Sequence, residues 1–291
     1  MGEKPRPRAS GLGPRTRPSG SSTEDRGPRT EDRKRPIGVF DSGVGGLTVF
    51  REITRALPHE SLVYLGDSAR VPYGTKSPST VVRYTLEAVQ LLAERDIKML
   101  VIACNTATAA ALPTLKSRLS IPVIGVIEPG ARAAVERTRG KIGVIATEGT
   151  VKSKAYTKAI HALDPSIEVI EAAAPLFVGL AEEGWANTHV AREVAGIYLE
   201  PLIDAGIDTL VLGCTHYPIL RGTIESVVGD KVQIVDSAET TAVCVRQELR
   251  ELADAGEPLH HFLVTDAEER FRRIAGEFLE REILSLELVS F

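Results

Sequence analysis

Two cysteines stand at matching positions in two similar segments, and this pair is the strongest chemical signal in the sequence. Cys104 and Cys214 lie 110 positions apart, and each follows an apolar run that ends in a small residue. A thiolate is the reactive form of cysteine. Two thiols that faced one carbon atom from opposite sides could take a proton from one face and return a proton to the other. The pair therefore predicts a site that transfers protons at a carbon centre.

Polar side chains follow both cysteines directly. They are Asn105, Thr106, Thr215 and His216. Each cysteine is predicted where a strand gives way to a helix, and the free backbone N–H groups at a helix start favour an anion. The same field lowers the pKa of a thiol. Because the amide and hydroxyl groups can donate hydrogen bonds, a carboxylate ligand is expected beside the thiols.

The two cysteines also allow three alternatives to proton transfer. A free cysteine is often a small buried apolar residue, although two at matching sites weaken this interpretation. Cys214 and His216 could bind zinc, but a zinc site needs three or four ligands and the first segment adds no histidine. They could also form a nucleophile pair, as in thiol hydrolases, which would leave Cys104 without a role. No metal site is therefore predicted.

A glycine-rich turn, DSGVGG at 41–46, follows the first predicted strand. It does not match the dinucleotide-binding fingerprint, because threonine stands at position 48, and it has no lysine for a phosphate loop. A tight turn whose backbone approaches a small ligand is the plainer interpretation. Asp41 could orient or deprotonate Cys104, accept from a substrate ammonium group, or simply cap the next helix.

Four further residues are ambiguous by themselves. Tyr73 and Gly74 lie in a Pro-Tyr-Gly turn that could close over a ligand. Thr147 stands at the place that corresponds to Ser42 and precedes a glycine turn, and helix capping would account for it equally well. By composition, Glu182 is an ordinary acid in a helical segment.

Strand-like and helix-like segments alternate through the chain from residue 36 onward. Short apolar runs are predicted as strands, and longer segments with apolar residues at helical spacing are predicted as helices. This alternation predicts parallel sheets that are covered by helices on both faces. Ligands of such sheets bind beyond the carboxyl ends of the strands. Because the two cysteines, Asp41, Tyr73 and Thr147 all follow predicted strands, one shared site is expected.

The cysteine segments belong to a wider internal similarity. Segment 37–43 aligns with 142–148 at an offset of 105, and 62–65 falls on 167–170 at the same offset. The two cysteine segments align at an offset of 110, so the second half contains an insertion of about one loop relative to the first. A repeat of this length indicates a duplicated domain. The sequence thus predicts an α/β protein of two pseudo-symmetric parallel-sheet lobes, with the active site in the cleft between them.

Composition limits the remaining possibilities. Hydrophobic residues make up 43% of the 291 residues, enough for a packed core, and no apolar run approaches the roughly 18 or more residues that span a membrane. Three cysteines, of which Cys244 is predicted in the core, fit reduced thiols better than a disulfide framework. No signal peptide is recognisable, so a cytoplasmic location is expected. The net charge of −4 does not suggest nucleic-acid binding.

The first 35 residues differ from the rest. They hold ten lysines and arginines against five acidic residues, and because the chain total is −4 the remainder carries −9. This segment is rich in Pro, Gly, Ser and Arg and cannot bury enough surface to offset its ordering entropy. We predict a disordered tail at 1–35. Its acidic residues argue against an organelle transit peptide, and a weak contact with an acidic partner is left open.

Four motifs, taken together and in order, resemble one family. They are GVFDSGVGGLTV at 38–49, YLGDSARVPYG at 64–74, VIACNTA at 101–107 and LVLGCTHYPIL at 210–220. From about residue 36 to 236 the chain resembles the glutamate racemases of bacterial cell-wall synthesis, within the aspartate/glutamate racemase superfamily. The tail has no counterpart in this resemblance. The run Cys-Thr-His-Tyr-Pro is typical of the glutamate enzymes, since aspartate racemases usually have glutamate where His216 stands.

The resemblance implies a cofactor-independent racemase with two cysteine bases. In the family, the counterpart of Cys104 acts on the D-isomer and that of Cys214 on the L-isomer. Asp41 would assist the first thiol, His216 would assist the second, and Glu182 matches a supporting position. The positions that match ligand contacts are Asp41, Ser42, Tyr73, Gly74, Asn105, Thr106, Thr147, Thr215 and His216.

The expected activity is therefore the interconversion of L- and D-glutamate, which supplies D-glutamate for peptidoglycan synthesis. The family implies a homodimer, and no membrane or nucleic-acid partner is expected. Two alternatives are open: a racemase for aspartate or another acidic amino acid, and a non-catalytic binding protein that docks through its basic tail. The expected domains are a first lobe at 36–127 plus 241–291 and a second lobe at 128–240.

Overall fold

A computed structural model of the protein describes residues 34–249, 257–283 and 285–291. The predicted tail at 1–35 lies outside the described residues except for its last two. The end of the helix predicted at 237–252 also lies outside them. The described chain forms two parallel sheets with helices around them, which confirms the predicted α/β architecture of two lobes.

The larger sheet has six parallel strands that come from both ends of the described chain. They are β1 Ile37–Asp41, β2 Leu62–Gly66, β3 Met99–Ile102, β4 Val123–Gly125, β9 His260–Val264 and β10 Leu286–Leu288. Their order across the sheet is β10-β9-β2-β1-β3-β4. The strands β1, β2 and β3 are buried along their whole length because helices cover both faces of the sheet.

The smaller sheet has four parallel strands from the middle of the chain. They are β5 Lys141–Ala146, β6 Glu168–Ala173, β7 Thr209–Gly213 and β8 Gln233–Asp236. Their order is β6-β5-β7-β8. The central strand β7 is again buried throughout, whereas the edge strand β6 is partly exposed.

Helices connect the strands of both sheets. They are α1 Leu47–Ala56, α2 Pro78–Ala93, α3 Asn105–Arg118, α4 Ile127–Arg137, α5 Glu148–Ser153, α6 Ala155–Leu163, α7 Leu176–Glu182, α8 His189–Asp204, α9 Arg221–Val228, α10 Ser237–Glu248 and α11 Glu268–Leu279. Side-chain caps define several of their starts. Ser77 accepts from the N–H of Thr80 ahead of α2, and Asp236 accepts from the N–H of Ala238 ahead of α10. In the described residues, no helix combines the length and the apolar character needed to cross a bilayer.

The two sheets share one strand order, as the predicted duplication requires. β1 lies between β2 and β3, and β5 lies between β6 and β7. Ile37 pairs with Met99, and Ile142 pairs with Thr209, which reproduces the offsets of 105 and 110. The cysteine segments therefore occupy equivalent places in the two lobes.

The predicted alignment of 62–65 with 167–170 is wrong by two residues. Ile37 pairs with Leu62 in the larger sheet, whereas Ile142 pairs with Val169 in the smaller one. Side chains alternate between the faces of a strand with a period of two. A slip of two residues therefore preserves the apolar pattern, and the pattern could not reveal it.

The connection from the first lobe to the second also differs from the prediction, which had a strand at 122–127 and a helix at 131–138. The strand β4 ends at Gly125, and the helix α4 already begins at Ile127. Pro129 does not prevent this early start, because it lies in the first turn, where a backbone N–H has no intrahelical partner. Nothing in the sequence pattern indicates the short elements α9 and β10.

Candidate active site between the two sheets

The carboxyl ends of the central strands of both sheets meet at one cavity. Cys104 follows β3 and Cys214 follows β7, and both thiols line this cavity. In each sheet the strand order changes direction between β1 and β3, or between β5 and β7. This switch point is where open parallel sheets bind ligands. The equivalent positions of the two cysteines in the fold thus bring both thiols to one site.

The cavity has a volume of ≈ 70 Å³, which suits a small ligand. Eleven of the twelve site residues proposed from the sequence line it, and Asp41 lies behind its wall. The lining residues that the sequence reasoning did not single out are Gly43, Val71, Pro72 and Val178. Geometry thus brings the proposed residues together, while their roles remain predictions.

Cys104 is buried at the start of α3 and holds its proton. Its sulfur is the N-cap group of the helix and accepts from the N–H of Ala107 at 3.4 Å. Burial, together with the negative charge of Asp41, raises the pKa of the Cys104 thiol to about 12, against a hydrogen bond from Ser42. The expectation that the helix start would lower this pKa is wrong, because loss of hydration outweighs the helix field.

Cys214 is paired with a charged histidine instead. Its sulfur lies 3.9 Å from Nδ1 of His216, and Nε2 of His216 lies 3.0 Å from Oε1 of Glu182. Burial opposes charge on this imidazole, but its contacts with Cys214 and Glu182 prevail and raise the pKa of His216 to about 10.

The chain after Cys214 does not begin an α-helix, which corrects the sequence prediction. It turns through a backbone hydrogen bond from Tyr217 to the carbonyl of Cys214 and then forms a 3₁₀ stretch. The α-helix α9 begins only at Arg221. The second thiol therefore has no helix start beside it, and the positive charge near its sulfur comes from His216.

Asp41 ends β1 and is almost fully buried. Its Oδ2 accepts from the N–H of Gly43 at 2.9 Å, and Thr215 donates to its Oδ1 at 3.5 Å. Burial raises the pKa of Asp41, while the charge of His216 opposes this rise. The carboxyl group also accepts from the backbone of Gly46 at the start of α1, which agrees with the capping interpretation of Asp41. The same group joins the glycine turn to the Cys214 segment.

The glycine turn allows the two segments to approach closely. A Cβ atom added at Gly45 would lie 2.5 Å from Nδ1 of His216 and closer still to Oγ1 of Thr215. Any side chain at this position would therefore displace the polar groups that surround Cys214. The turn thus approaches the Cys214 segment closely, and the predicted approach of its backbone to a small ligand stays a prediction.

Asn105 carries a buried donor that has no hydrogen-bond partner among the described residues. Its side chain is buried, and its Oδ1 accepts from the hydroxyl of Tyr156 at 2.8 Å. The donor in question is its Nδ2. A buried donor without an acceptor is costly, and such groups are rare in folded proteins. Because Asn105 lines the cavity, an oxygen atom of a ligand is its expected acceptor.

Hydroxyl groups join the lobes at another side of the cavity. Oγ1 of Thr106 lies 2.8 Å from Oγ1 of Thr147, and Thr147 also caps α5 by accepting from the N–H of Thr150. Helix capping by Thr147 is therefore confirmed, while its role as a ligand contact stays a prediction. Gly74 packs against the same threonine, since a Cβ atom there would lie 2.8 Å from Cβ of Thr147.

Tyr73 is anchored from behind the cavity wall. Its hydroxyl donates to Oδ2 of Asp67, which also accepts from Nε of Arg70 at 2.6 Å. Oδ1 of Asp67 accepts from the hydroxyl of Thr265 at 3.0 Å. The Tyr73–Gly74 turn is thus held by a buried carboxylate that the sequence reasoning passed over, although Asp67 lies within one of the matched motifs.

Two further contacts could not be foreseen. Tyr156 comes from α6, where no pattern marks it, and Arg270 of α11 bonds to Glu182 from a distant part of the chain. Cys244 is only half-buried and not a full core residue as predicted. Within the described ranges, no three or more His, Cys, Asp or Glu side chains form a group that could hold a metal ion.

The chain is similar to known proteins over most of its described length. Residues 37–245 match the family model described as Asp/Glu/Hydantoin racemase. A glutamate racemase of Geobacter metallireducens is 56% identical over 252 residues, which cover 84% of this chain and 92% of the relative. The crystal structure of glutamate racemase RacE1 from Bacillus anthracis superposes with a TM-score of 0.86 at 45% identity, covering 89% of this chain and 98% of the other.

A third similar protein was solved with a ligand. It is the glutamate racemase of Francisella tularensis in complex with D-glutamate, with a TM-score of 0.84 and 38% identity over 89% of this chain and 98% of the other. The chain belongs to the Asp/Glu/Hydantoin racemase family. It is thus an amino-acid racemase, an isomerase, and the resemblance seen in the sequence is confirmed.

Proposed function

We propose that this protein interconverts L- and D-glutamate by a two-thiol mechanism. The thiolate of Cys214 takes the α-proton of L-glutamate, and the thiol of Cys104 delivers its proton to the opposite face of the same carbon. The products are D-glutamate, a Cys214 thiol and a Cys104 thiolate, so protons and charge balance. The D-isomer reacts by the reverse sequence.

One observation carries this proposal: two thiols from equivalent positions in the two lobes line the same small cavity. The buried Cys104 thiol holds its proton at neutral pH because its pKa is raised to about 12. Cys214 has the charged His216 beside its sulfur. Cys104 can therefore donate a proton to the substrate, and we assign the role of the second base to Cys214.

The difficult step is to stabilise negative charge on the α-carbon. General acid–base transfer typically contributes about 10²–10⁴-fold, so fixed donors around the substrate carboxylates must supply much of the remaining rate enhancement. We assign this role first to Nδ2 of Asn105, because it has no partner in the described part of the chain and its residue lines the cavity. We assign carboxylate and ammonium binding to the residues around it, which are Asp41, Ser42, Tyr73, Gly74, Thr106, Thr147, Thr215 and His216.

Incubation with L-glutamate in heavy water tests the proposal. The expected product is D-glutamate with deuterium at the α-carbon, because the thiol that reprotonates the carbon exchanges with solvent. L-Aspartate serves as the matched substrate, since it is shorter by one methylene group. Faster turnover of aspartate would assign the enzyme to aspartate, and no exchange with either amino acid would contradict both assignments.

We further propose that the enzyme supplies D-glutamate for peptidoglycan synthesis in the cytoplasm and that it acts as a homodimer. The similar glutamate racemases support the first role. We also retain the proposed division into a lobe at 36–127 plus 241–291 and a lobe at 128–240. Size-exclusion chromatography with light scattering tests the dimer, and a monomer at micromolar concentration would contradict it.

A further inference from the structure

A chain of polar contacts runs from the second thiol to the protein surface. The sulfur of Cys214 lies 3.9 Å from Nδ1 of His216, and Nε2 of His216 lies 3.0 Å from Oε1 of Glu182. Oε2 of Glu182 accepts from Nη2 of Arg270 at 2.8 Å. The same Nη2 lies 3.4 Å from Oε1 of Glu183. Each oxygen of the Glu182 carboxylate therefore has a cationic partner.

The last member of this chain comes from the other lobe. Cys214, His216 and Glu182 belong to the lobe of the four-stranded sheet, since they follow β7 and β6. Arg270 lies on α11, which connects β9 to β10 of the six-stranded sheet. The contact between Arg270 and Glu182 thus exists only while the two lobes are close together.

Packing holds α11 in a defined position next to the histidine. The ring of Phe278 meets the imidazole of His216 edge-on, with ring centroids 5.5 Å apart. Phe271 and Ile274 of the same helix are buried in the main core. A rigid helix therefore directs Arg270 at Glu182, whose side chain is 22% exposed and would otherwise be free to turn one oxygen towards solvent.

The charges along the chain alternate. Burial would raise the pKa of Glu182, but the bonds from His216 and Arg270 lower it to about 2. Glu182 is thus an anion between two cations at neutral pH. An anion that is fixed on both sides keeps the imidazole oriented towards Cys214, as a carboxylate does for the histidine of a catalytic triad.

We infer that Arg270 is a positioning residue for the reaction: it fixes Glu182 against His216 from the opposite lobe, so that closure of the lobes completes the base at Cys214. This inference rests on the proposed two-thiol reaction. Arg270 itself lies outside the residues that line the substrate cavity. Its loss should therefore slow proton transfer at Cys214 and leave substrate binding nearly unchanged.

The test compares Arg270→Ala with Arg273→Ala, which removes the same charge from an exposed position three residues along the helix. Arg270→Ala removes a hydrogen bond between charged groups, and because Arg270 is half exposed this bond is weakened by solvent. We therefore expect kcat to fall about tenfold. Arg273→Ala should stay within about twofold of the wild type. Arg270→Lys, which keeps a cation within reach of Glu182, should recover part of the loss. Racemisation of glutamate by the wild type tests the function separately.

Isotope effects show whether the loss falls on one thiol. L- and D-glutamate have equal free energies, so kcat/KM must be the same in both directions for every variant, and a one-sided defect cannot appear there. Under the proposed roles, Cys214 breaks the Cα–H bond of L-glutamate, whereas Cys104 breaks that of D-glutamate. A slower step at Cys214 therefore makes cleavage of this bond more rate-limiting for the L-isomer and less rate-limiting for the D-isomer, which α-deuterated substrates can show. Arg270→Ala should raise the isotope effect for the L-isomer and lower it for the D-isomer.

The outcomes decide the inference. Opposite shifts of the two isotope effects with a nearly constant KM support it. Activity of Arg270→Ala within twofold of the wild type would overturn it. Two other results would show that the arginine is only a structural link, and either would also overturn the inference. One is a loss of activity with unchanged isotope effects. The other is a loss of activity with a lower melting temperature that Arg270→Lys does not restore.

Discussion

Replacement of Gly45 by alanine tests how strongly the reaction depends on the close packing around Cys214. The added Cβ atom would lie 2.5 Å from Nδ1 and Cε1 of His216. Ordinary contacts between such atoms begin at about 3.5 Å, so the imidazole and the turn must move apart by about 1 Å. The backbone at Gly45 does not have a positive φ, so alanine meets no conformational penalty there and the effect is purely steric.

The size of the effect follows from this displacement. A misplacement of about 1 Å in a catalytic group can cost on the order of 100-fold in rate, while overpacking of a buried site costs about 1–3 kcal/mol of stability. Gly45→Ala should thus lose about 100-fold in kcat and remain folded. The conversion of D- to L-glutamate, followed by circular dichroism, measures the rate, and thermal unfolding measures the stability.

Gly276→Ala is the matched control. Gly276 lies within α11, and a Cβ atom there would meet no other atom within 4 Å. Alanine in a helix interior is favoured over glycine by roughly 0.5–1 kcal/mol, so this variant should be as active as the wild type and slightly more stable. Turnover of a folded Gly45→Ala variant within threefold of the wild type would refute the reasoning, because the imidazole could then move without consequence.

The remaining predictions concern the thiols, the unpartnered amide and pH. Cys104→Ser and Cys214→Ser should each reduce racemisation by about 10²–10⁴-fold, and near-normal turnover in either would contradict the two-base assignment. Asn105→Leu should raise KM for glutamate about tenfold or more, since a buried donor to a charged group is lost; an unchanged KM would remove Asn105 from the binding site. The pKa of Glu182 in the folded protein is about 2, which is below its ordinary value of 4.5. The Glu182 carboxylate therefore stabilises the folded state above about pH 4.5, and this contribution is lost as the pH falls towards 2. Urea unfolding should therefore show a smaller difference between wild type and Glu182→Gln at about pH 3.5 than at about pH 7, and an equal difference would contradict the linkage.

The sequence allowed prediction of those candidate site residues that directly follow a strand. Parallel strands present their carboxyl ends at one edge, so residues that directly follow apolar runs converge without any knowledge of the packing. Cys104, Thr147 and Cys214 were found in this way. The alternation of strands and helices likewise determined the fold class, because covered parallel sheets leave few other arrangements of such a pattern.

What the sequence could not show arises from packing between distant segments. Arg270 resembles the other arginines of its helix, and only the docking of α11 against the histidine distinguishes it. Tyr156 is likewise an ordinary helical residue until its hydroxyl reaches Asn105. The sequence also did not predict the raised pKa of Cys104. A position between a strand and a helix predicts the electric field of the backbone at the thiol, but it does not predict how much hydration the thiol loses on burial.

The two thiols are equivalent in the fold and different in their chemistry, and this difference has a consequence for turnover. With its pKa near 12, Cys104 holds a proton in the free enzyme, which suits the L-isomer under the proposed roles. Each conversion of L- to D-glutamate leaves the proton on Cys214 and a thiolate at Cys104. A proton must return to Cys104 before the next L-glutamate can react. We propose that Asp41 assists this return, because its buried carboxyl group has a raised pKa, influences the pKa of the Cys104 thiol and contacts the Cys214 segment through Thr215. The asymmetry between the bases thus makes proton return part of the catalytic cycle, even though the substrate and product are mirror images.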